Sequence, residues 1–124
     1  MSKITKQPVW LPEPEDHDYP AATSYLSLIF DPAVAEGHTK ALMAAPMSSF
    51  KAKDIFRASE LALLGETNSH VAKNRAKMAA GKLLSPLLLI RDAAHGKVIV
   101  ADGYHRLCAV YVDDEDALIP CKIA

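Results

Sequence analysis

Apolar residues are distributed along this chain in short runs whose period changes from segment to segment. Tyr25 to Phe30 is dense in aromatic and aliphatic side chains and reads as a strand. Asp31-Pro32 then supplies a helix start, with Asp at the cap and Pro in the first turn. Val34, Ala35, Ala41, Leu42 and Ala45 carry a helical spacing to about Ala44, weakened at Gly37 by about 1 kcal/mol and ended by Pro46. Phe50 to Phe56 reads as a short strand or extended segment, and Ala58 to Leu64 as a helical turn or short helix. Gly65 to Asn68 is a loop, with Asn68 or Ser69 capping a helix from about His70 to Ala80 that stops at Gly81.

The second half of the pattern is β-rich. Pro86 to Arg91 is a continuous apolar strand, Asp92 to Gly96 a turn, and Lys97 to Ala101 its hairpin partner. Asp102-Gly103 breaks the run, a helix covers roughly Tyr104 to Val112, Asp113 to Asp116 forms an acidic loop, and Leu118 to Ile123 closes as a strand. No internal repeat and no regular βαβ alternation occur. The expectation is an α+β fold with a small mixed sheet and helices.

Residues 1–24 differ from the rest. Pro8, Pro12, Pro14 and Pro20 punctuate them, and Glu13, Glu15, Asp16 and Asp18 crowd one stretch. Proline removes backbone donors and fixes φ, so this part reads as an extended arm ahead of a domain spanning 25–124. Trp10, the only tryptophan, argues that the arm docks, since a free tail would leave a large apolar surface in water.

Composition narrows the class. At 124 residues the chain fits one domain, and the longest apolar runs, Leu83 to Ile90 and Val98 to Ala101, fall far short of the roughly 20 residues a membrane helix needs. Met1 to Lys6 is charged with no long apolar stretch after it, so no secretory signal and no membrane partner are expected, and a cytoplasmic location is. A net charge of −1 gives no global field for polyanions, leaving any such binding to a local patch. Cys108 and Cys121 are too few for a disulfide framework and read as small core residues.

The candidate chemistry sits at Asp102-Gly103-Tyr104-His105-Arg106. A strand, then Asp-Gly, then a helix leaves the unpaired N–H groups and partial positive charge of a helix start at a turn that Gly103 can tighten. Arg106 can fork onto a phosphate, His105 can add a donor, and Asp102 can hold Mg²⁺ or act as a base. The plainer alternative is a strand-to-helix turn capped by Asp102, with His105 and Arg106 solvated.

The ordered stretch from about Phe50 to Ile123 resembles the ParB/sulfiredoxin superfamily. Val71 to Gly81, Leu84 to Ile90, Val98 to Ala109 and Ile119 to Ile123 stand where that family has a helix with a Gly-containing turn, an apolar strand, a strand leading through a glycine turn into a helix, and a last strand. The superfamily includes partition proteins that bind CTP and DNA, sulfiredoxins, free-serine kinases and proteins described as nucleases. The Asp-Gly-x-His-Arg form is most similar to the free-serine-kinase branch and to small ParB-like proteins. The resemblance implies that Gly103, Tyr104, His105 and Arg106 cradle phosphates and that Asp102 acts near the transferred group or its Mg²⁺. It implies a nucleoside di- or triphosphate as ligand. Glu60 or Glu66 would take the place of that branch's catalytic glutamate, beside Asp102 and His105.

Departures restrict the reading. Tyr104 stands where sulfiredoxins carry their reactive cysteine, and Cys108 lies one turn further along. Sulfinic acid repair is therefore not expected. No helix-turn-helix follows the last strand before Ala124, so site-specific DNA partitioning is not expected either.

Lys73 and Lys77, within a cluster that also holds Arg75, Lys82 and His70, are candidate secondary phosphate contacts, although their spacing spreads them around the helix and solvated lysines are the usual explanation. Tyr104 can stack on a base or simply shield the turn. His105 and Cys108 lack the second pair that a zinc site requires, and Asp113 to Asp116 lacks the spacing and glycine of an EF-hand loop. The leading expectation is a nucleotide- and phosphate-binding protein with Mg-dependent kinase-, NTPase- or nuclease-like chemistry. The alternative is a non-catalytic nucleotide- or nucleic-acid-binding regulator of toxin, antitoxin or phage type, acting through a protein partner or as a homodimer.

Overall fold

Leu87, Leu88, Leu89 and Ile90 are all buried, and strand geometry sends them alternately to opposite faces. Leu87 and Leu89 join one core and Leu88 and Ile90 another. A strand apolar on both sides needs cover on both, and that requirement organises the molecule. The structure, a computed structural model, describes residues 7–124; the charged start Met1 to Lys6 lies outside the described residues.

In chain order the elements are β1 (Val9–Trp10), α1 (Asp18–Leu26), α2 (Pro32–Ala44), β2 (Met47–Lys51), α3 (Ala52–Ser59), α4 (Ser69–Ala79), β3 (Leu83–Leu84), β4 (Leu87–Asp92), β5 (Lys97–Asp102), α5 (Tyr104–Asp113) and β6 (Leu118–Ile123). The main sheet runs β2-β6-β4-β5, with β4 parallel to β6 and the other pairs antiparallel. β1 and β3 form a separate parallel pair, Val9 opposite Leu83 and Trp10 opposite Leu84. The fold is α+β with a small mixed sheet.

One face of the sheet carries Ile55 and Phe56 of α3, Val71 and Met78 of α4, and Leu107, Cys108 and Val110 of α5. Trp10 packs against this core from the edge, so the tryptophan is docked. The other face carries Tyr19, Ala22 and Leu26 of α1 with Ala35 and Leu42 of α2, against Leu88, Ile90, Ile99 and Ala101. Each fully buried Leu or Ile in these layers contributes about 1.5–3 kcal/mol.

Two expectations are corrected here. Tyr25 to Phe30 is not a strand: it is the end of α1 and the turn after it. Leu26 alone of Tyr25, Leu26, Leu28 and Ile29 is buried, so its packing sets the conformation while three strand-favouring neighbours stay in water. This segment therefore offers no strand edge for dimer pairing. The extended arm likewise gives way to helix at Asp18; Pro20 fits because it occupies the first turn, where its missing N–H has no partner to lose. Further on, Phe50 to Phe56 divides into the end of β2 and most of α3, and residues 61–64 lack regular structure. The buried set Ala52, Ile55, Phe56 and Ser59 has the i, i+3, i+4, i+7 spacing of a helix face.

The remaining elements follow the sequence pattern closely. α2 spans Pro32–Ala44, Asn68 caps α4 by accepting from the N–H groups of His70 and Val71, and Gly81 follows α4 at φ 72°.

Candidate phosphate site at the start of α5

β5 delivers Asp102 to the end of the sheet, and Gly103 turns the chain directly into α5. Gly103 has φ 108°, and a Cβ there would lie 2.8 Å from Leu87 Cγ and 2.9 Å from Arg106 Nη2. Only glycine fits such a corner, on both conformational and steric grounds. The first helical bond runs from Leu107 N–H to the Gly103 carbonyl, and no side chain caps this end. The N–H groups of Tyr104, His105 and Arg106 thus precede the first helical bond, as at any helix start.

The side chains are arranged with more constraint than the sequence shows. Arg106 Nη2 donates to Asp102 Oδ2 at 2.9 Å, and both side chains are 18% exposed. Burial raises the Asp102 pKa above the usual carboxylate range, and the Arg106 charge and hydrogen bond offset this only in part. Arg106 Nε is enclosed and has no hydrogen-bond partner among the described residues. The His105 ring lies 4.7 Å from that of His70 and 5.4 Å from that of Tyr104. Burial, with the neighbouring His70 and Arg106, lowers the His105 pKa, favouring the neutral imidazole. Tyr104 points away from the turn, its hydroxyl donating to the Ala62 carbonyl.

Other expected residues lie in other surroundings. Lys77 lines a cavity of about 130 Å³ together with Arg106, Asn74 and Ser85, whereas Lys73 is exposed on α4. Glu60 is the left-handed residue that ends α3, with φ 59°, and Glu66 reaches Arg75 at 3.7 Å. Neither glutamate makes a hydrogen bond or ion pair to residues 102–106 among the described residues.

Three further residues that line the cavity were not legible in the sequence. Glu15, His17 and Asp18, at the start of α1, line it and stand close enough to Asp102 for the charges of Asp18 and His17 to act on its ionisation. Asp18 is 3% exposed, and its Oδ2 accepts from Ser85 Oγ and from the Glu15 N–H. The only sequence signal was a crowding of acidic residues around one histidine ahead of a helix.

Among the described residues no helix is long and apolar enough to cross a membrane. Compared with models of protein families, with curated proteins and with solved structures, the chain matches none.

Proposed function

We propose that this chain is a ParB-like protein that binds the phosphates of a nucleotide at the turn Asp102 to Arg106 and carries out Mg-dependent phosphoryl transfer or phosphate cleavage there. One observation supports the reading above others. Gly103 adopts a left-handed conformation with no room for a Cβ and opens α5 without a side-chain cap. A helix start of this kind presents N–H donors and a partial positive charge to an anion. Arg106 and Lys77 both line the cavity beside it, and two cations there favour an oxyanion.

Cavity size restricts what is held. Small-molecule pockets are commonly about 300–1,000 Å³, and this one is about 130 Å³. It suits a phosphate group rather than a whole nucleotide, so base and sugar would lie outside it. Mg²⁺ ordinarily takes one or two carboxylates and completes its shell with water and phosphate oxygens. Asp102 fits that donor chemistry. A metal bound there would neutralise charge on the phosphates, while Arg106 orients them and keeps Asp102 in place.

The test is isothermal titration against ATP, ADP, CTP and GTP with Mg²⁺, run beside Arg106→Ala. Micromolar binding of a nucleotide, weakened at least tenfold in the variant, is the expected result. Absence of binding to all four would reduce the turn to a structural corner. If binding holds, Asp102→Asn separates chemistry from recognition: turnover is lost and binding persists.

A further inference from the structure

We infer that Glu15, His17 and Asp18 form a binding site for one first-row divalent metal ion in the cavity that Arg106 also lines. The donor atoms of these three side chains all lie within 4.8 Å of one another. His17 Nε2 stands 2.9 Å from Glu15 Oε2 and 3.4 Å from Asp18 Oδ1. Donors bound to one ion at about 2.1 Å are separated by about 3.0 Å at right angles and about 3.4 Å at the tetrahedral angle. Two of the three donor separations match these edges, and the third lies within 4.8 Å.

The donors are also prepared for the task. Asp18 is nearly fully buried, and its Oδ2 is occupied by the Ser85 hydroxyl and the Glu15 N–H, which leaves Oδ1 turned toward His17. Outside partners that fix one carboxylate oxygen are how proteins orient metal ligands. His17 is 78% exposed as a side chain, yet its Nε2 lies within 3.4 Å of both carboxylates. One imidazole with two carboxylates suits Mn²⁺, Fe²⁺, Co²⁺ or Zn²⁺, whereas Mg²⁺ and Ca²⁺ prefer an all-oxygen set.

The same cavity is also lined by Lys77 and Arg106. Three ligands leave an ion with open positions, and cationic side chains lining the same cavity favour a negatively charged oxygen ligand there.

The experiment titrates the full chain with Mn²⁺ and with Zn²⁺ alone, followed by calorimetry, and with Co²⁺ followed by its visible absorption. One equivalent is expected to bind, with His17→Ala and Glu15→Gln each weakening affinity at least tenfold. His95→Ala is the control, because His95 Nδ1 makes a similar 2.9 Å contact with the Asp92 carboxylate on an exposed turn. It should leave binding unchanged. Circular dichroism of each variant verifies the fold, and His17 is exposed enough for its replacement to be tolerated. No binding up to about 1 mM metal, retained affinity in His17→Ala, or equal loss in His95→Ala would overturn the site. Because the ion is titrated without nucleotide, failure here leaves the phosphate turn standing; failure of the nucleotide titration likewise leaves the metal site standing.

Discussion

Arg106 and Asp102 are bound to each other across the Gly103 corner, Nη2 to Oδ2 at 2.9 Å. The pair closes one helical turn, and its position decides how either residue can act. Burial raises the Asp102 pKa and the Arg106 charge and hydrogen bond offset this in part, while Arg106 has its Nε enclosed without an acceptor. An anion at the turn would therefore meet an arginine already oriented by Asp102.

Arg106→Met should destabilise the protein by about 1–3 kcal/mol, because truncating one member of a largely buried pair strands the other charge, discounted here for partial exposure. The Asp102 pKa, already raised by burial, should rise further. A carboxyl whose folded pKa is raised favours folding most below its unfolded value, and that advantage is lost as pH rises through the folded value. The deficit of Arg106→Met measured in urea at pH 7 should accordingly shrink toward pH 4. Asp102→Asn combined with Arg106→Met should recover part of the loss, whereas simple additivity across the double-mutant cycle would contradict this coupling.

Gly103→Ala and Gly37→Ala should move stability in opposite directions. At Gly103 a Cβ combines left-handed backbone strain with overlap at Leu87 Cγ, for a cost of about 2–4 kcal/mol. Gly37 lies inside α2 with nothing within 4 Å of a built Cβ, so alanine there should add about 0.5–1 kcal/mol. Thermal and urea denaturation of both variants tests the contrast.

The corner was legible in the sequence because it is local: strand end, Gly103 and helix start are contiguous, and α5 begins at Tyr104 as its pattern requires. β4, β5 and β6 were legible for the same reason, as short apolar runs between clear turn signals. The N-terminal layer was not. Prolines concealed α1, and three outward apolar side chains, Tyr25, Leu28 and Ile29, imitated a strand. Contacts such as Asp18 with Ser85, 67 residues apart, depend on how α1 docks against the sheet, and local pattern carries no information about that.

Both thiols should be inert in the native state. Burial pushes the Cys121 thiol up to about 11, and it raises Cys108 as well, against partial relief from Tyr104 and the backbone near Leu64. At pH 8 the reactive thiolate of Cys121 is then about 0.1% of the total. Ellman's reagent should titrate neither cysteine in the folded protein and both in denaturant. Rapid native labelling at either position would contradict the burial of both thiols in one core.

Lys53 Nζ lies 2.7 Å from Asp116 Oδ1 on the surface, and the contact lowers the Asp116 pKa while raising that of Lys53. The depressed carboxylate contributes stability that is present above its unfolded pKa and lost as pH falls through the folded value. The raised ammonium contributes stability that is present below its unfolded pKa and lost as pH rises through the folded value. Their mutual benefit therefore covers the neutral range and disappears at both ends. Lys53→Met should return Asp116 to the ordinary carboxylate range in an NMR titration of its side-chain carbon, and high salt should have a similar effect on the wild type. Global stability should hardly change, because the same loop is also tied by backbone bonds from Ala52 N–H to Ala117 and from Lys53 N–H to Glu115. A large loss of melting temperature in Lys53→Met would show that the exposed pair, rather than those backbone bonds, holds the loop after α5 against the start of α3.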